Sequence, residues 1–62
     1  MPLIEVKATD RRFDDPAANE RLIAALTDAA CQVLGEEARS QIWVVLTGVP
    51  ASRWGIGGKP LS

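Results

Sequence analysis

A chain of 62 residues with seven Lys+Arg against eight Asp+Glu, one Cys and no His is a single small domain, residues 1–62. A domain of this size buries only about 60% of its unfolded surface; a lone cysteine closes no intrachain disulfide, and without an imidazole a structural zinc site is short of ligands and every Ser-His or Cys-His nucleophile is excluded. The net charge of −1 leaves no footprint for nucleic acid or an anionic membrane, and neither an apolar span nor a leader pattern is visible, so the chain reads as cytoplasmic and soluble.

In chain order, Pro2 stands directly behind Met1 and opens a strand. Leu3 to Thr9 alternates, with Ile4, Val6 and Ala8 on one side and Leu3, Glu5 and Lys7 on the other, the period of a half-buried strand. The charged run from Asp10 to Asp14 breaks that period and ends in a helix start, with Asp15 as N-cap and Pro16 at the first helical position. From Ala17 to Leu34, Leu22, Leu26, Ala29, Ala30 and Val33 recur at helical spacing, widened by Ile23 and Leu34, while Asn19, Glu20, Thr27, Asp28 and Gln32 lie off the stripe. Gly35 is placed to stop this helix in a left-handed conformation.

Glu36 to Ser40 reads as a polar connection, and Gln41 to Thr47 as a second strand whose near-continuous apolar run predicts cover on both faces. Gly48 to Ser52 is turn-like, and Arg53-Trp54-Gly55-Ile56-Gly57-Gly58-Lys59-Pro60 sets glycines around two large apolar side chains. A first strand of about 23 Å and a helix of about 27 Å allow the helix to return the chain to a parallel second strand. The expected fold is α+β: one β-α-β unit with parallel strands and a short C-terminal turn or hairpin. Its exposed edges and small core predict completion by oligomerisation.

The chemistry lies at the start. Met-Pro occurs in many chains merely to avoid a strand hydrogen bond, but removal of Met1 here would free a secondary amine in a chain with no other base poised near neutrality. An α-amino group has a pKa near 7.7 to 8.0, and burial or nearby guanidinium charge favours its neutral form. Such an amine serves as a general base, and an arginine fork holds a carboxylate and stabilises an enolate. These two parts suffice for a cofactor-free tautomerase acting on a small carboxylic acid, with no metal. An extended strand separates the backbones of Pro2 and Arg12 by about 30 Å, so one site using both draws them from different subunits.

Pro2 behind Met1, the loop carrying Arg11 and Arg12, the amphipathic helix, the second strand and above all Trp54-Gly55-Ile56-Gly57-Gly58 resemble the 4-oxalocrotonate tautomerase family of the tautomerase superfamily, across essentially the whole chain. The resemblance implies hexamers built as trimers of dimers, loss of Met1 and catalysis by the Pro2 amine. It implies that Arg12 grips the distal carboxylate of the substrate and that Trp54, where the family has phenylalanine, walls the pocket. Counting back from the glycine turn, the family's second arginine falls on Trp43, where no guanidinium stands.

Arg39, four residues earlier, is about 13 Å away along an extended chain, which leaves Arg53 as the candidate replacement. The loop after Arg12 is also about two residues longer than in the best-known members. Arg11, Trp43, Arg53 and Trp54 are therefore candidate substrate-binding residues beside Pro2 and Arg12, although Trp43 reads first as a sheet or interface anchor and only second as a ligand platform. Cys31 reads as a small packing residue, and Glu5 and Lys7 as an exposed cross-strand pair. The function expected is keto-enol isomerisation of an unsaturated 2-hydroxy or 2-oxo acid. The alternatives are a related proline-dependent dehalogenase or hydratase on unsaturated acids, and a silent subunit of a hetero-oligomer whose partner supplies the missing arginine.

Overall fold

Alternation of apolar and polar side chains does form the first strand, and the structure shows what it is for. A computed structural model of the chain describes residues 1–61. β1, Leu3–Thr9, lies parallel to β2, Trp43–Val49, with Leu3 opposite Trp43 and Thr9 opposite Val49. The helix α1, Pro16–Leu34, connects them. Ile4, Val6, Val44 and Leu46 are half-buried, whereas Leu3, Glu5, Lys7, Trp43, Val45 and Thr47 are exposed on the opposite face. The expected cover on both faces of β2 is thus absent within one chain. Glu5 and Lys7 are exposed as anticipated, but they face Val45 and Thr47 across the ladder.

The start of α1 follows from its sequence. Asp15 is extended and its carboxylate accepts the amide of Ala17 at 3.0 Å, and Pro16, which has no amide to leave unsatisfied, takes the first helical position. Leu22, Leu26, Ala30 and Cys31 lie on its covered side, with Cys31 the one buried residue of the helix. Val33, placed on the stripe by spacing, is instead 86% exposed, and Asn19 and Thr27, placed off it, are half-buried. Thr27 satisfies its hydroxyl by donating to the carbonyl of Ile23 at 2.8 Å, which is how a half-buried threonine is accommodated within a helix. Gly35 ends the helix by donating to the Cys31 carbonyl at 2.9 Å, at φ 100° and ψ 151°, an extended backbone of positive φ rather than the left-handed helical one anticipated.

Three short 3-10 turns punctuate the rest, at Asp10–Phe13, Glu36–Gln41 and Ala51–Arg53. The second occupies what reads in sequence as a plain polar connection, and it delays β2 to Trp43. The chain ends in an antiparallel hairpin of β3, Gly55–Ile56, and β4, Lys59–Pro60, closed by the two residues Gly57 and Gly58. Both have positive φ, 61° and 86°, as the twist of a two-residue hairpin turn demands.

Within one chain the core is slight. Among the described residues only Cys31 and Ile42 are buried. The Cα radius of gyration is 14.3 Å, whereas a compact chain of this length has one of about 11 Å. The hairpin is exposed throughout, and its apolar Ile56 is 62% exposed.

Candidate functional site

Parallel pairing divides the candidate residues between the two ends of the sheet. At the end where both strands begin, the backbone amide of Trp43 donates to the carbonyl of Pro2 at 2.9 Å. This bond carries the ladder one residue before β1 and fixes Pro2 beside Trp43. Pro2 is half-buried, and the side chains next to it on the open face, Leu3 and Trp43, are apolar and more than half exposed. Position 43 itself carries an indole and no guanidinium.

At the end where both strands finish, β1 runs directly into the Asp10–Phe13 turn with Arg11 and Arg12. Thr9, Arg11 and Arg12 line an open cavity of about 320 Å³. Among the described residues neither guanidinium has an ion-pair partner, so both are free to take an anion. Thr9 was not singled out from the sequence; its place as the last residue of β1, beside two arginines, is the signal that could have found it.

Arg53 and Trp54 leave from the finishing end of β2, in and just after the Ala51–Arg53 turn. Trp54 is half-buried, and its backbone anchors the hairpin, its amide donating to Ala51 at 3.2 Å and its carbonyl accepting from Leu61 at 2.7 Å. Arg53 is exposed and without an ion pair among the described residues. Within one chain, then, the arginines and Trp54 follow the finishing ends of the strands, and Pro2 and Trp43 stand at the starting ends, separated by a seven-residue strand of about 23 Å.

Arg39 has another role. Its guanidinium donates to Asp28 on α1 at 2.8 Å and to both carboxylate oxygens of Glu36, tying the Glu36–Gln41 turn to the helix. These hydrogen bonds push the Arg39 pKa further above its already high value, and they hold the Glu36 carboxyl below the usual carboxylate range. No group of three or more metal-ligating side chains occurs among the described residues.

A family model described as tautomerase enzyme matches residues 2–62, beginning on Pro2. The chain belongs to the tautomerase family. It is 40% identical over its whole length to the probable tautomerase RSp0893 of Ralstonia nicotianae, covering 84% of that protein. It is also similar to the crystal structure of TomN, a 4-oxalocrotonate tautomerase homologue in the tomaymycin biosynthetic pathway, with TM-score 0.81 and 32% identity over 97% of this chain and 88% of the other. These likenesses agree with the parallel β-α-β architecture of this tautomerase family member. In the described residues no helix is long and apolar enough to cross a membrane.

Proposed function

We propose that this chain is a cofactor-free keto-enol tautomerase in which Pro2, freed by removal of Met1, is the general base. Arg12 holds the carboxylate of an unsaturated 2-hydroxy acid, Arg11 assists it, and Trp54 walls the pocket. The amine accepts the enol hydroxyl proton, the electron pair shifts through the conjugated chain to carbon, and the resulting ammonium returns a proton to that carbon to give the 2-oxo acid. No atom is gained or lost, so the reaction is an isomerisation that needs no redox partner. The secondary amine is suited to both halves because its ordinary pKa lies close to neutrality.

The observation that carries this reading is the pairing of a family match that begins on Pro2 with an anion-receptive cavity at Arg11 and Arg12. Because a full strand separates the two within one chain, the working site forms between subunits, Pro2 of one meeting Arg12 of another. The exposed apolar face at Leu3, Trp43 and Val45 and the uncovered hairpin supply the apolar area such an assembly needs. A hexamer is the assembly the family resemblance implies.

Ketonisation of 2-hydroxymuconate, followed by absorbance on protein whose intact mass shows Met1 removed, tests the reading. Pro2→Ala should abolish it; activity that survives the substitution refutes the role of the amine.

A second reading is favoured by Trp43, which puts an indole rather than a cation beside Pro2. In that reading the chain is one subunit of a hetero-oligomer whose partner brings the further arginine. The purified chain would then be inactive alone with Pro2 free and would gain activity on mixing with the partner. A proline-dependent dehalogenase or hydratase would instead show halide release from 3-haloacrylates without ketonisation.

A further inference from the structure

The turn that carries Arg11 and Arg12 is held at both of its ends by uncharged residues. A four-residue 3-10 helix is marginal by itself, and Thr9 in front of it makes no side-chain capping bond. At its start Asp10 lies against Gly48 of β2, so closely that a Cβ on Gly48 would stand 3.0 Å from Asp10 Cα and 3.2 Å from its Cβ. At its finish the Nδ2 of Asn19, in the first turn of α1, donates to the carbonyl of Phe13 at 2.9 Å in a half-buried hydrogen bond. The missing side chain of Gly48 lets the turn cross the end of β2, and the amide of Asn19 fixes where it leaves.

Arg11 and Arg12 have no ion-pair partners of their own among the described residues, so their backbone sets where their guanidinium groups go. A bidentate grip on a carboxylate needs two guanidinium donors aligned with its two oxygens, so binding is sensitive to displacement of that backbone. We propose that Asn19 and Gly48 are positioning residues for the anion-binding turn, acting on substrate binding through Arg11 and Arg12. The inference rests on the reading of those arginines as the carboxylate clamp.

The test compares wild type with Asn19→Ala, Asn19→Asp, which keeps the shape of the side chain but not its donor, and Gly48→Ala. With 2-hydroxymuconate, each variant should raise KM by about 3- to 10-fold while kcat and its pH midpoint stay within about twofold, the size of one lost hydrogen bond. A fall in kcat at constant KM, the mark of a smaller folded fraction, overturns the proposal, as does an unchanged KM. Hydrogen exchange at the amides of Arg11 to Phe13 reads the same contacts without turnover. Several-fold faster exchange there, with β1 and β2 unaltered, supports the proposal, and unchanged exchange overturns it whether or not the wild type is active. Pro2→Ala, run alongside, reports on the tautomerase reading alone.

Discussion

The amide of Trp43 donates to the carbonyl of Pro2 at 2.9 Å. The carbonyl of Pro2 is thereby tied into the sheet, while its ring nitrogen, which has no proton to give a ladder while Met1 is attached, takes no part in pairing. The bond sets the backbone of Trp43 beside Pro2 at the start of the sheet.

If Trp43 stands where a carboxylate-binding cation would otherwise sit, at the reacting end of the substrate, Trp43→Arg should tighten binding of the carboxylate at that end. A charge-assisted hydrogen bond is worth about 1.5–3 kcal/mol, so KM for 2-hydroxymuconate should fall by about tenfold or more. An enol acid with an uncharged tail keeps the carboxylate at the reacting end and should gain as much. Steady-state kinetics on the two substrates decides it; an unchanged KM for both means that position 43 does not meet the charge.

The hairpin invites a separate test. Gly57 and Gly58 have φ of 61° and 86°, and a residue with a Cβ costs about 1–2 kcal/mol in such a conformation. Since the hairpin is exposed throughout within one chain, Gly57→Val should affect assembly before it affects the β-α-β body. Sedimentation at falling protein concentration should show the variant dissociating at a concentration roughly tenfold or more above wild type, with little change in far-ultraviolet circular dichroism.

The expected β-α-β order, the Asp15-Pro16 helix start and the glycine hairpin were legible because each rests on local chemistry: an alternating period, a cap, a turn that tolerates positive φ. The separation of Pro2 from Arg12 was legible too, since a strand's length is fixed by its residue count. Val33 misled because periodicity marks the apolar face of a helix without saying what covers it. The Glu36–Gln41 turn was hidden because its sequence has no apolar period to read. Gly48 meets Asp10 from an element far away in the chain and Asn19 reaches Phe13 from the neighbouring one, and no spacing within one element encodes either contact.

The Arg39 cluster predicts a pH effect on stability. Hydrogen bonding to Arg39 lowers the Glu36 pKa in the folded chain, so in the acid range the unfolded chain binds the proton more readily. Stability from this group is therefore present above the unfolded glutamate pKa, about 4.3, and is lost as pH falls through the lower folded value. Thermal midpoints measured from pH about 2 to about 6 should decline toward acid in wild type and decline less steeply in Glu36→Gln. The difference should be small and should shrink in high salt, because the pair is exposed.

A site shared between subunits makes a complementation result that a single-chain site cannot. Pro2→Ala chains keep Arg12, and Arg12→Ala chains keep Pro2, so each homo-oligomer should be nearly inactive. Unfolded together at equal concentration and refolded, the two chains should form mixed oligomers in which some interfaces join an intact Pro2 to an intact Arg12. With random assembly about one site in four has that combination, so activity should return to about a quarter of wild type. If Pro2 and Arg12 of the same chain served one site, every site would lack one of them and the mixture would stay as inactive as its parents. Mixing without unfolding controls for exchange: activity that rises only after refolding ties the recovery to assembly of new interfaces.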